Sequence, residues 1–253
     1  GTSLSKGFGL IKRFSEDLDF ILCTSDQVSR GVRRSFRKSV ISHIISDTRF
    51  TIQDDKVVRG DSYRFFKAPV QYNMEFEEKF LRPYLQLEMT FVNYRLPPLR
   101  QDVRSIISEL ADEKPETQIT CISPIETAAD KVSALTWRVV ARDRSSEKDD
   151  PTMIRHLHDL AALKDTIWED QKNFVSCAQQ SLESDQNHRG GDVIASMSIS
   201  DRLTKAYEML ETDDKYRAEY AQFVQNMSYA AQDEQISFDD ALVSLRETIA
   251  IVA

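Results

Sequence analysis

The segment Arg13-Phe14-Ser15-Glu16-Asp17-Leu18-Asp19-Phe20-Ile21-Leu22 sets two aspartates at i and i+2 directly ahead of an apolar run. In a strand, residues two apart share a face with Cα atoms about 6.5–7 Å apart, so both carboxylates point at one spot. Charges about 5 Å apart at an effective dielectric near 20 repel by roughly 3 kcal/mol. A divalent hard cation with oxygen ligands offsets that cost; an exposed acidic turn is the plain alternative. Upstream, Gly1-Thr2-Ser3-Leu4-Ser5-Lys6 supplies a glycine, hydroxyls and a lysine, the residue types of a phosphate-binding turn at a helix start. Turn and carboxylates together point to a metal ion with a polyphosphate, and the Ser15 hydroxyl lies within reach of both.

The elements that must position these groups follow from periodicity. From Asp26 to Asp47, Val28, Val32, Phe36, Val40 and Ile44 recur every four residues, which predicts an amphipathic helix. Arg30, Arg33, Arg34 and Arg37 are then expected on the opposite face, either as a solvated surface or, with Lys38, as a seat for an RNA backbone. Residues 50–95 change character. Phe50-Thr51-Ile52, Tyr63-Arg64-Phe65-Phe66 and Tyr84 to Val92 read as strands between turn residues. In the last of them Gln86, Glu88 and Thr90 share a face opposite Leu85, Leu87, Met89 and Phe91, so a third carboxylate lies on a polar strand face, suited to a cleft or to solvent.

From about Pro98 the pattern turns helical. Ser123 as N-cap, Pro124 in the first turn and Glu126 at the third position predict a capping box and a helix to about Val140. Further helices are predicted from Pro151 through Leu160, over Ile167 to Leu182, Ile199 to Leu210, Tyr216 to Met227, and Phe238 to Val252 behind the Ser237 cap. Glu183 to Asp192 reads as a loop. The order is a helix and sheet front followed by a helical back, an α+β arrangement.

At 253 residues, with 41% hydrophobic and 29% charged, the chain can bury a sizeable core and is neither disordered nor fibrous. No apolar run approaches the roughly 20 residues that span a bilayer. Cys23, Cys121 and Cys177 follow no ligand or disulfide spacing, so a reducing, cytoplasmic setting is expected and all three read as small buried apolar residues. The net charge of −8 argues against a protein that coats nucleic acid, yet residues 1–49 carry nine Lys/Arg against five Asp/Glu, so any nucleic-acid contact belongs to the front. His156 and His158 diverge by about 200° on a helix and cannot chelate one metal.

Gly-Thr-Ser-Leu-Ser-Lys followed by Arg-Phe-Ser-Glu-Asp-Leu-Asp-Phe resembles the signature of the AbiEii/AbiGii-type nucleotidyltransferase toxins, within the DNA polymerase β-like superfamily. Members carry a second glycine just ahead of Gly1, so a segment before Gly1 is expected. The resemblance continues in Ser123-Pro124-Ile125-Glu126-Thr127-Ala128-Ala129-Asp130-Lys131, similar to the family's alanine-rich helix ending in lysine. It resumes in Arg155-His156-Leu157-His158-Asp159-Leu160, similar to its Arg-Asp-x-x-Asp-Leu helix, with His156 where Asp is usual. The match runs over roughly residues 1–165.

What the resemblance implies is a mixed-sheet nucleotidyltransferase core over residues 1–110 and a helical domain over 111–253 that closes the active-site cleft. Asp17, Asp19 and Glu88 would hold Mg²⁺ or Mn²⁺, while Gly1, Thr2, Ser3, Lys6 and Ser15 would bind the nucleoside triphosphate. Lys131 and Asp159 would join the catalytic set. The acceptor would be RNA, such as a tRNA 3′ end, and the role that of the toxin in a bacterial toxin–antitoxin or abortive-infection system with a cognate antitoxin and no membrane partner. A small-molecule nucleotidyltransferase, or an inactive interaction protein on the same fold, are the alternatives.

Overall fold

The computed structural model describes residues 1–23, 28–60, 63–74 and 82–252. The chain divides into two compact units: Gly1–Gly7, Phe14–Tyr94 and Arg100–Ile119 form the first, and Phe8–Arg13, Arg95–Leu99 and Thr120–Ala253 the second.

The first unit is built on a mixed sheet. A π-helical turn over Ser3–Gly7 precedes β1 (Asp17–Ile21), followed by α1 (Arg30–Ile45), β2 (Phe50–Thr51), β3 (Val58–Gly60), β4 (Phe65–Tyr72) and β5 (Tyr84–Thr90). The sheet order is β1-β5-β4-β2 with β3 also on β4; β1 runs parallel to β5, and the other pairs are antiparallel. Period-2 alternation decides the faces. Phe66, Val70, Leu87 and Met89 are buried together, and Leu18, Leu85 and the α1 residues Val40 and Ile44 pack against them. The opposite face carries the polar set of β1 and β5.

Two expectations for this region change. The predicted helix begins at Arg30, with Ser29 as its N-cap accepting from Val32 N; Asp26 and Gln27 lie outside the described residues. Its inner face is also not the one inferred from the four-residue recurrence. At 3.6 residues per turn that spacing drifts about 40° per step, so Val32 and Phe36 rotate away from Val40 and Ile44 and are exposed. Arg33 and Arg37, two turns ahead of Val40 and Ile44, rotate inward, and Arg37 is buried. The four arginines therefore do not share one exposed face.

After β5 the chain is not simply helical. A two-stranded sheet of β6 (Leu99–Val103) and β7 (Thr117–Cys121) flanks the short α2 (Ile106–Leu110). These strands are mostly exposed, so they show no buried alternation to read.

The second unit is helical: α3 (Pro124–Val140), α4 (Arg155–Ala162) after a 3-10 turn at Pro151–Ile154, α5 (Lys164–Glu169), α6 (Gln171–His188), α7 (Gly191–Ala195), α8 (Ile199–Thr212), α9 (Asp214–Met227) and α10 (Phe238–Val252). The α3 helix is its centre; Ile125, Ala128, Ala129, Val132, Leu135 and Val139 are all buried, and α4, α6 and α8 pack on it. Ser123 caps α3 by accepting from Ile125 N, but the reciprocal half of the capping box is missing because Glu126 Oε2 accepts from Arg95 N and Leu96 N instead. The predicted loop from Glu183 is mostly the end of α6, and the chain turns only at Gly190. That residue has φ 68°, and a Cβ there would run into the Ile194 side chain. Ser237 caps α10 through Asp240 N at 3.1 Å. Cys121 and Cys177 are buried as expected; Cys23 is exposed, its Sγ donating to Asn93 Oδ1 at 3.2 Å.

Candidate active site

In the first unit the register places Asp17 beside Gln86 and Asp19 beside Glu88. The parallel pairing thus sets Asp17, Asp19 and Glu88 on one sheet face, opposite Leu18, Leu87 and Met89. The Gly1–Gly7 turn is tied to the same strand: Thr2 Oγ1 donates to the Asp17 carbonyl at 2.6 Å and lies 3.1 Å from Ser15 Oγ. Ser5 N closes the turn onto Gly1 O, and Ser5 is buried under it. Ser3 begins the π-helical turn, and Lys6 Nζ lies 3.7 Å from Glu109 Oε2. Ser15 precedes β1 and is not part of the strand.

Each outer carboxylate of the row has a cation beside it that sequence reasoning missed. Arg82 Nη2 donates to Asp17 Oδ1 at 2.6 Å and its backbone N–H to the Glu16 carboxylate. Lys67 Nζ donates to Glu88 Oε1 at 2.6 Å. A signal for Lys67 was available, since it is the one basic residue among Phe65, Lys67, Pro69 and Gln71, the outward alternation of β4. Arg82 has none, because it stands in Arg82-Pro83 just ahead of β5. The donor set suits a hard divalent cation: three carboxylates, all oxygen, on one face. In this conformation the carboxyl groups lean to their cations, and among the described residues no three His, Cys, Asp or Glu side chains converge closely enough to hold a metal ion.

The second unit contains the other two predicted residues, and it brings them together. Asp159 on α4 is fully buried, Lys131 Nζ on α3 is 2.7 Å from its Oδ2, and Arg13 grips it bidentately at 2.6 and 2.7 Å. At 100° per residue Asp159 lies off the stripe of Met153, Ile154, Leu157 and Leu160, a position that usually faces solvent or a cleft. It is buried instead, because α3, α9 and α10 all pack on α4 and cover the polar side too. Burial opposes its charge, but Lys131 and Arg13 outweigh burial and hold the carboxyl well below the usual carboxylate range. One carboxylate serves two cations, so burial, with Arg13 adding repulsion, pushes the Lys131 ammonium down from the usual lysine value. Burial and the neighbouring Lys131 likewise push His156 well below its ordinary value, leaving it neutral, and neither of its ring nitrogens has a hydrogen-bond partner among the described residues.

The predicted RNA-binding arginines are dispersed over α1. Arg30 and Arg34 are exposed, Arg33 donates to the Val28 carbonyl, and Arg37 Nη1 approaches Asp54 Oδ1 at 3.5 Å.

Comparison with known proteins bears on what this arrangement does. The family model described as "Nucleotidyl transferase AbiEii toxin, Type IV TA system" matches residues 1–244, well past the roughly 165 residues over which the motifs are legible. No curated protein sequence matches. Among solved structures, MenT4, a nucleotidyltransferase toxin from Mycobacterium tuberculosis H37Rv, is similar over 100% of this chain and 82% of its own, with a TM-score of 0.51 and 19% identity. At that identity the likeness concerns the fold alone.

Proposed function

The chain belongs to the AbiEii family of nucleotidyltransferase toxins, and from that premise we propose that it moves a nucleoside monophosphate from a triphosphate to a hydroxyl of RNA, at a tRNA 3′ end. The single observation that carries the reading is the row of Asp17, Asp19 and Glu88 on one sheet face, with the Gly1–Gly7 turn hydrogen-bonded to the same strand. Its biological setting would be the cytoplasm, as the toxin of a type IV toxin–antitoxin pair with a cognate antitoxin and a role in phage defence. No helix among the described residues is long and apolar enough to cross a membrane.

In this reading Asp17, Asp19 and Glu88 hold Mg²⁺ or Mn²⁺, and the bound metal supplies neutralisation of phosphate charge. Gly1, Thr2, Ser3, Lys6 and Ser15 hold the triphosphate, with Thr2 fixing the turn to β1. Catalysis is then mostly positioning of the acceptor oxygen against the α-phosphorus, with pyrophosphate leaving. Lys131 and Asp159 join the catalytic set by the family resemblance, and within the second unit Asp159 with Arg13 is a positioning group that holds the Lys131 ammonium in place.

Two experiments test this. Titration calorimetry with each NTP should show binding that strengthens with Mg²⁺ and weakens in Asp17→Asn; binding indifferent to both removes the metal assignment. Labelling reactions with radioactive NTPs, offering total RNA, small molecules and protein, should mark RNA, and label confined to small molecules would replace RNA by the antibiotic-type alternative.

Arg82 provides a third, quieter prediction. Its ion pair with Asp17 is about a third exposed on both sides, so Arg82→Ala should cost less than about 1 kcal/mol in stability. With its competing cation gone, the Asp17 carboxylate should bind Mg²⁺ more tightly in the absence of nucleotide, read by calorimetry. Unchanged or weaker metal affinity would mean that Arg82 and metal do not share Asp17.

A further inference from the structure

The basic part of α1 forms a pocket, and it lies across the sheet from the carboxylates. A cavity of about 570 Å³ in the first unit is lined by Arg34, Arg37 and Lys38 of α1, Asp54, Arg59 of β3, and Tyr63. Four cations face one carboxylate there, in a chain whose net charge is −8. Asp54 is already engaged: Arg59 Nη2 donates to its Oδ1 at 2.6 Å. Arg37 is only 5% exposed, reaches Asp54 at 3.5 Å, and keeps its Nε buried with no hydrogen-bond partner among the described residues. A buried guanidinium so incompletely satisfied favours the approach of an anionic oxygen.

The surroundings hold this arrangement in place. Tyr63 has φ 65°, a left-handed backbone that a residue with a bulky side chain adopts only when its surroundings impose it, and the guanidinium carbons of Arg30 and Arg37 lie 5.5 and 5.8 Å from its ring centroid. Along α1, Arg30, Arg34 and Lys38 repeat at four-residue intervals, rising about 6 Å and turning about 40° per step, which is a slanted row of positive charge around the helix. That suits a chain of phosphates better than one compact anion.

The position matters as much as the charge. Val40 and Ile44 of α1 pack on the apolar face with Leu87 and Met89, while Asp17, Asp19 and Glu88 occupy the other face. The pocket therefore cannot be part of the triphosphate site on that sheet. We infer that it is an anchoring site for the phosphodiester backbone of the acceptor RNA, gripping the strand away from its reacting end. This rests on the RNA acceptor of the proposed function and adds where, and by which residues, that strand is held.

The test uses the double variant Arg34→Ala/Lys38→Ala, whose side chains are exposed, in the full chain. Binding of a fluorescent single-stranded RNA oligonucleotide is followed by anisotropy across a salt series, beside steady-state labelling. The expected result is RNA affinity about tenfold weaker or more, and a log–log salt slope shallower by roughly 1.4, at about 0.7 for each single-strand phosphate that is no longer neutralised. The KM for RNA should rise while the calorimetric affinity for NTP stays unchanged. Unaltered RNA affinity and slope in a variant that still labels RNA would overturn the pocket and leave the acceptor reading standing. If the parent protein neither binds nor labels RNA, the acceptor reading falls and the pocket inference with it. Loss of NTP or inorganic phosphate binding in the variant, with RNA binding intact, would make the pocket a free-nucleotide or phosphate site and overturn the inference as well.

Discussion

Asp17→Asn and Asp19→Asn are each expected to lower nucleotidyl transfer by about a thousandfold or more, with the protein still folded. The magnitude follows from charge stabilisation by a bound metal, worth several kcal/mol, at about 1.4 kcal/mol per tenfold in rate. Asparagine keeps the size and one carbonyl oxygen but not the negative charge, so the loss measures charge rather than shape. The fold should tolerate the change. Asp17 is half-buried and Asp19 exposed, and the apolar side of β1, through Leu18, is untouched. Thr2 bonds to the backbone carbonyl of Asp17, so the turn keeps its tether in either variant. Transfer assays at saturating NTP, paired with circular dichroism melts, check this. Melting unchanged with activity retained within tenfold would remove both aspartates from the reaction.

Asp159→Asn is expected to act oppositely, striking the fold first. It leaves Lys131 and Arg13 buried at 7% and 3% exposure without their shared anion, and breaking a buried pair in this way costs about 3–5 kcal/mol. Against a typical stability of about 5–15 kcal/mol, that is a large fraction. Removing the cations as well, in Arg13→Leu/Lys131→Met/Asp159→Leu, should recover much of the loss, because an apolar core of similar volume no longer strands a charge. Urea denaturation of the single and triple variants decides it; a triple variant no more stable than the single would mean that the site's packing, not its charge balance, matters.

The acid behaviour has a definite sign. The folded Asp159 carboxyl lies below its unfolded value of about 3.9, so the unfolded state binds more protons in that window and stability falls as pH is lowered through it. The stabilisation is fully present above the unfolded value. The parent should therefore lose stability below about pH 4 more steeply than the triple variant, in which this group no longer titrates.

The division between these predictions mirrors what a reader of the sequence could see. The Asp-x-Asp motif, the turn ahead of it and Glu88 were legible because they depend on local spacing; two residues apart in a strand means one face whatever the strand pairs with. The helices from α8 to α10 were legible for the same reason, their apolar positions repeating at helical spacing and Ser237 marking a start that the structure keeps. Where local pattern and packing parted, the pattern lost. The exposed β6 and β7 bury too little to leave an alternation. The four-residue recurrence in α1 drifted around the helix and set Arg37 on the wrong side. Glu126 has the spacing of a capping box but is taken by the backbone of Arg95 and Leu96, thirty residues away in sequence.

The family, the α+β order of elements and the residue types of the candidate site could be read from the chain alone, since all three are written in residue types at short range. How charge is balanced emerged with the packed chain. Arg82 stands against Asp17, Lys67 against Glu88, and Arg13 against Asp159 across 146 positions of chain. Electrostatic partners are chosen by proximity in space, and a lysine or arginine on the surface has the same one-dimensional signature as one buried beside a carboxylate.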